Sequence, residues 1–408
     1  MAHSNFRRSL LIAIALCSAP AADLLAQTAA DELFAGDALN ELRLSISSRD
    51  LQKLRAHYDE NTYYPADLQW KDLRVRNIAV RSRGSASRSA SKPGLQIDFD
   101  RFVSGQHFVG LRSLVLDNLW QDPSMIRERL AMAFFERMGE PAPRESFARL
   151  YINNEYQGLY AIVEDVSSDF LARTFEKDTG YLFEYKNVRR FYGEYLGDDL
   201  GAYKVLFEPR SHELEADAVL YSPIRNLFRE INHDDDSVWR DRVETYLNLK
   251  QFVTHVAIEM FLAEPDGILG FSGMNNFYLL RQADTNRHRL IPWDKDLSFS
   301  DISSSVLPQE VDNELFRRAM AYDDLRALYQ KKLAQCAHVA AGGWLQKQIV
   351  ASASLITDAV REDTAKPYAN EEFDAAIKFL KKFARQRSSF VVKEIGTHPE
   401  WAMAWAIR

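Results

Sequence analysis

Apolar and polar positions alternate along the first part of the chain. Leu42, Leu44 and Ile46 mark one strand, Val75, Ile78 and Val80 a second, and Leu95, Ile97 and Phe99 a third, since a period near two puts one face of a strand in a core. The residues 47–58 between the first two read as a helix. From Pro123 to Gly139 the apolar positions Ile126, Leu130, Ala133, Phe134 and Met138 fall on one helical face, with Pro in the first turn and Gly at the end. Residues 148–152 and 156–163 flank Asn153-Asn154, a pair that tolerates the left-handed backbone a tight hairpin needs. After a strand at 180–186 the chain is polar and Gly-dotted to about 220 and reads as irregular. Residues 239–262 form one long amphipathic pattern. The apolar runs 277–280 and 290–291 enclose a polar turn and predict another hairpin, and three helical stretches follow at 323–339, 344–360 and 371–394. No internal repeat interrupts this order.

Polar residues gather at the mouths of the later hairpin. Asp266 lies in a Pro/Gly-punctuated loop before its first strand, Asn275 and Asn276 open that strand, and Asp294 and Asp296 leave the second. Carboxylate and amide oxygens suit Mg²⁺, which keeps waters and borrows phosphate oxygens. A phosphoryl-transfer site also needs a carboxylate to orient the attacking hydroxyl. The order Asp, Asn, Asp is the order protein kinases use, although neither His-Arg-Asp nor Asp-Phe-Gly occurs. Turns attract Asp and Asn for local capping alone, and a metal-dependent hydrolase using Asp294 and Asp296 fits the same residues.

Asn275-Asn-Phe-Tyr-Leu-Leu280 followed by Pro292-Trp-Asp-Lys-Asp-Leu-Ser-Phe299 resembles the signature of the CotH family, the spore-coat protein H type of atypical secreted kinase. Ser300 stands where that family usually has Gly. The resemblance implies an α+β, protein-kinase-like two-lobed fold, with a small β-rich N-lobe over 31–164 and a mainly helical C-lobe over 165–400. It implies Asp266 as the catalytic-loop Asp, and Asn276 and Asp294 as metal ligands, with Asp296 a second candidate. Trp293 belongs to the same motif and is assigned to the cofactor side.

The loop Arg83-Gly-Ser-Ala-Ser-Arg-Ser-Ala-Ser-Lys92 between two strands has the form of a phosphate-covering hairpin tip; by composition alone it is equally a solvated surface tip. The family carries an Arg-Gly-Asn-Ser-Ser loop followed by Lys, so Arg83, Gly84 and Lys92 match, while Ser85 and Gly94 depart from it. The resemblance makes Lys92 the fixed positive charge, Glu128 on the 123–139 helix its partner, and Glu164, at the end of the 156–163 strand, the group that meets the adenine. Glu128 between two arginines reads equally as a solvated residue, and Glu164 as a strand end.

The 408 residues, 46% hydrophobic and 27% charged, describe a globular chain with ample core. A net charge of -7 argues against a general nucleic-acid binder. Arg7 and Arg8 precede an apolar run at 10–16 and small residues to about Gln27, the pattern of a signal peptide over 1–27. That predicts export to the periplasm or outside the cell, with lipidation at Cys17 a minority option because Leu16 breaks the lipobox. No later stretch is long and apolar enough to cross a membrane. Removing the segment leaves Cys336 alone, so no internal disulfide is expected. Nucleophile-elbow, Walker and dinucleotide motifs are absent. The expected function is transfer of phosphate from ATP, with Mg²⁺ or Mn²⁺, to Ser/Thr hydroxyls of exported proteins. The alternative is a secreted binding protein of the same family that has lost transfer.

Overall fold

The computed structural model describes residues 29–175, 180–283, 285–308 and 312–397; the expected signal peptide lies outside them. Seven strands come first: β1 (Asn40–Ile46), β2 (Tyr64–Trp70), β3 (Leu73–Arg83), β4 (Gly94–Asp98), β5 (Ser113–Asp117), β6 (Glu145–Ile152) and β7 (Glu155–Glu164). They close into a barrel in the order β1-β2-β3-β4-β5-β7-β6. Closure is made by a parallel pairing of β1 with β6, Leu42 opposite Leu150. The helix α1 (Ser48–Ala56) follows β1, capped by the Ser47 hydroxyl, and α2 (Arg127–Arg137) lies between β5 and β6.

This architecture corrects the expected kinase-like fold. A two-lobed kinase with a small β-rich N-lobe is not formed; the β-rich part is a closed seven-stranded barrel. Two strands absent from the sequence reading make the difference. β2 alternates Ala66, Leu68 and Trp70 inward, while β5 is a short continuous apolar run, Leu114 to Leu116, with no alternation to announce it. Once both are paired, β1 and β6 have no alternative partner for their outer edges, and closing removes every open edge.

Period two then divides the core in two. Leu114, Leu116, Leu150, Ile152, Tyr160 and Ile162 point into the barrel with Leu42, Leu44, Ile78 and Ile97. Val115, Phe147, Leu159, Ala161 and Val163, one residue out of phase on the same strands, join the core shared with the helices. Burying each of these Val, Leu, Ile and Phe side chains contributes about 1.5–3 kcal/mol before ordering entropy.

A second sheet of order β11-β10-β8-β9 combines β8 (Tyr181–Tyr185), β9 (Phe207–Pro209), β10 (Phe277–Arg281) and β11 (His288–Pro292). The expected long helix over 239–262 is two, α6 (Asp236–Glu244) and α7 (Leu249–Phe261), because Asn248 breaks the run and caps the second through Gln251 N. The helices α3 (Ser168–Phe175), α4 (Gly201–Lys204) and α5 (Asp217–Ile231) precede them, and α8 (Glu314–Ala319), α9 (Asp323–Ala341), α10 (Trp344–Glu362) and α11 (Asn370–Thr397) close the chain. Cys336 is buried in α9 as a free thiol. No described helix is long and apolar enough to cross a membrane.

Candidate active site

A cleft of about 570 Å³ runs between the barrel and the second sheet. Arg83, the Gly84–Arg88 loop and Asp117 line one wall, with Asp266, Asn275, Asn276, Trp293, Asp294 and Asp296 on the other. Residues some two hundred positions apart meet here because β3 and β5 end beside the loops that enter β10 and leave β11.

Buried ion pairs hold those loops. Lys295, fully buried, sits 2.7 Å from Glu259 of α7 and donates to the Asn276 carbonyl at 2.9 Å. Glu259 also accepts from Ile268 N, at 2.8 Å. Burial alone would raise the Glu259 carboxyl, but Lys295 and His255 outweigh it and bring its pKa to about 2. Glu264 accepts from Asp266 N at 2.8 Å and from the Ser298 hydroxyl at 2.6 Å. Loss of hydration pushes it up to about 7, against the pull of Lys295.

Asp266 is presented by this frame. Its Oδ2 accepts from Asn275 at 2.9 Å and Asn276 at 3.2 Å, whereas its Oδ1 is buried with no protein partner. Burial raises its pKa, and the two amides and Lys295 oppose the rise. Asn276 and Asp294 both adopt left-handed backbone, φ 58° and 49°. Asn and Asp bear that conformation better than other side chains, at a cost of about 1–3 kcal/mol each that the surrounding structure must cover.

Asp294 lines the cleft. Loss of hydration there is the first cause, and repulsion from Asp117 the second, of a pKa pushed up to about 6; Arg83 and Lys295 pull the other way. Asp296 is raised well above its ordinary value by burial and then by Asp294. Arg83 faces Asp117 at 3.7 Å and lies 5.5 Å over the Trp293 ring. Its own burial favours the neutral form, but Asp117 and Asp294 outweigh this and hold its pKa above the usual value. Trp293 in turn packs edge-on against Tyr278 at 5.4 Å.

Two expected site residues lie elsewhere. Lys92 is fully buried and bonds Asp363 at 2.7 Å, not Glu128, and it is absent from the cleft lining. Glu164 is 1% exposed and gripped by Arg144 at 2.8 Å and Arg173 at 2.7 Å; its neighbour Asp165 lines the cleft instead. Sequence reasoning missed Asp117, Asp165, Glu184, Lys186, Glu208 and Arg210, all in the lining. Asp117 ends an apolar run, a signal of a strand mouth; the others carry no signal, since only the pairing of β8 with β9 aligns Glu184 with Glu208.

Among the described residues no three His, Cys, Asp or Glu side chains converge as a preformed metal cage. Mg²⁺ usually takes only one or two carboxylates from protein and completes its shell with water and phosphate. The mutually repelling Asp294 and Asp296, both in the cleft lining, fit such an ion.

Fold and site together define a class: a closed barrel joined to a helical body, with a cleft between them that offers oxygens to a hard cation and arginines to an anion. The sequence profile of the family described as CotH kinase protein matches residues 80–391, and the chain belongs to that family. Inner spore coat protein H of Bacillus subtilis (strain 168) is 22% identical over 358 residues, covering 86% of this chain and 95% of that protein. The inner spore coat protein H-like protein of the same organism is 34% identical over 76 residues, 19% of this chain and 23% of that one.

Proposed function

We propose that the cleft transfers a phosphoryl group from ATP to Ser/Thr hydroxyls of exported proteins. The observation that carries this reading is the meeting of Asp266, Asn276, Asp294, Asp296 and Arg83 in one cleft under the Gly84–Arg88 loop. Asp294, with Asp296 and Asn276, would hold Mg²⁺ or Mn²⁺, which when bound would supply positive charge beside the phosphates. Arg83 neutralises a phosphate oxygen, and Trp293 fixes the guanidinium plane. Asn275 and Asn276 pin Oδ2 of Asp266, so that Oδ1 orients the acceptor hydroxyl and takes its proton as the new P–O bond forms and ADP departs. Lys92 and Glu164, engaged by Asp363 and two arginines, have no part in this scheme.

The test is a transfer assay with labelled ATP, Mg²⁺ or Mn²⁺ and a Ser-rich protein, run beside a nucleotide titration. Asp294→Asn is expected to weaken metal-dependent nucleotide binding and transfer together, because an amide is a poorer ligand for a hard dication. Asp266→Asn is expected to suppress transfer roughly a hundredfold or more and leave nucleotide binding intact. Normal transfer by Asp266→Asn removes the assigned role of that carboxylate. Absence of transfer by the unaltered protein favours the second reading, a secreted binding protein of the same family. Burial of Lys92 away from the cleft and the naming of both relatives only as spore coat proteins favour that second reading.

A further inference from the structure

The side of α11 that faces away from the core is basic, in a chain whose net charge is -7. From Ala375 to Lys393 the helix carries Lys378, Lys381, Lys382, Arg385, Arg387 and Lys393 and no Asp or Glu. Arg387 turns inward, fully buried, and donates to the carbonyls of Phe261, Met260 and Ile302. At about 100° per residue the other five fall within a sector about 120° wide. Opposite them lie Phe373, Ile377, Leu380, Phe383 and Val391, all buried. Lys378, Lys382, Arg385 and Lys393 are exposed, with exposed Ser389 and Val392 between them, on a stripe about 22 Å long.

The stripe has no counter-charge within the described residues: none of its five cations makes an ion pair or a side-chain hydrogen bond there. The acids that bracket it are engaged away from it. Asp374 accepts from Arg361 at 3.2 Å, and Glu394 from the Ser305 hydroxyl and, at 2.9 Å, from Val306 N. Like charges fixed along one face repel one another, and a rigid helix that holds them unpaired presents a positive field to an anionic partner.

Charge alone does not name that partner, but the next stretch of chain does. Beyond Thr397 the sequence runs His398-Pro-Glu-Trp401-Ala-Met403-Ala-Trp405-Ala-Ile407-Arg408, where large apolar residues alternate with Ala and no acid follows Glu400. Four residues of chain carry Trp401 no further than about 14 Å from Thr397, and Lys393 lies about 6 Å back along the helix. Covalent reach therefore keeps Trp401 near the end of the stripe. A soluble polyanion would pair with the lysines and leave Trp401, Met403, Trp405 and Ile407 in water. A bilayer takes both, with lipid phosphates at the lysines and the boundary between headgroups and acyl chains for Trp. Stable attachment without a spanning helix takes two such signals together.

We propose that the exposed face of α11 and residues 401–407 dock this protein on the surface of an anionic lipid bilayer without crossing it. The docking goes beyond the transfer reading and uses none of the cleft residues.

Sedimentation of the purified full chain with vesicles of phosphatidylcholine, alone or mixed with phosphatidylglycerol, tests it. The unaltered protein is expected to bind the mixed vesicles, to leave them as salt is raised, and to bind the neutral ones far less. Lys382→Glu combined with Arg385→Glu is expected to lower the partition coefficient roughly tenfold or more, and Trp401→Ser combined with Trp405→Ser by roughly the same factor. Lys378→Gln combined with Lys382→Gln serves if the charge reversal impairs folding, which the melting temperature reports. Equal partition of the unaltered chain and a folded variant of either kind overturns the proposal. So does equal binding to neutral and anionic vesicles, or binding of soluble polyphosphate by a protein that ignores the anionic vesicles, the outcome of an acidic polymer as partner. Residues 1–27 are the same in every variant, so the comparison reads the helix and the stretch after it. Failure of the ATP transfer assay leaves every arm of this experiment readable.

Discussion

Glu264 and Lys295 decide at residue scale how the Asp266 loop is held. Because the folded-state pKa of Glu264 lies near 7, well above an ordinary glutamate, the folded protein keeps a proton that the unfolded chain loses between about pH 4.5 and 7. Stability contributed by this group is therefore full below about pH 4.5 and is lost as pH rises towards 7. Glu264→Gln is expected to flatten that fall, raising stability at pH 7 relative to the unaltered protein, as read by denaturant midpoints across the window. His288 works with the opposite sign: burial lowers it to about 4, so the comparison must be between variant and parent at each pH. Lys295→Met leaves buried Glu259 without its main counter-charge and with only His255 beside it, and is expected to cost about 3–5 kcal/mol in an unfolding titration. A loss below 1 kcal/mol would mean that the pair does not hold the loop.

Between elements, a buried contact at Asp363 joins others, such as Arg149 with Glu362, in tying the barrel to the C-terminal helices. Asp363, just past α10, accepts from Lys92 at 2.7 Å and from Leu159 N of β7 at 3.0 Å. A Cβ at Gly158, φ +116°, would meet the Asp363 carboxylate at 2.4 Å. Gly158→Ala is thus expected to destabilise by about 3 kcal/mol or more, through both backbone strain and a displaced ion pair. Lys92→Met is expected to lower stability by a similar amount while leaving nucleotide affinity of the folded protein unchanged. A large loss of affinity with normal stability would instead return Lys92 to the cleft. The sequence places Lys92 correctly at the head of a strand and Gly158 within a hairpin. Their common partner lies more than two hundred residues from either, and no local pattern marks it.

For the molecule as a whole, barrel closure is the feature most open to measurement. β1 pairs with β2 on one side and β6 on the other, so amide exchange along 40–46 is expected to be slow at successive positions. An open sheet would leave every second amide of an edge strand unpaired and fast. Hairpins, the paired Asn turn and the C-terminal helices were legible in the sequence because their signals are local: period two, period 3.6, and residues that tolerate left-handed backbone. The family resemblance of the Asn-Asn and Pro-Trp-Asp-Lys-Asp stretches implied one site for Asp266, Asn276 and Asp294, and all three line the cleft. What the tertiary structure alone decided is the closure of the sheet into a barrel, the exchange of Glu128 for Asp363 as the partner of Lys92, and the assembly of Asp117 and the β8–β9 wall around the site. Each depends on which strand edge or buried charge finds which partner across the chain. That choice is set by the free energy of pairing and desolvation in the assembled core, a quantity no stretch of sequence carries by itself.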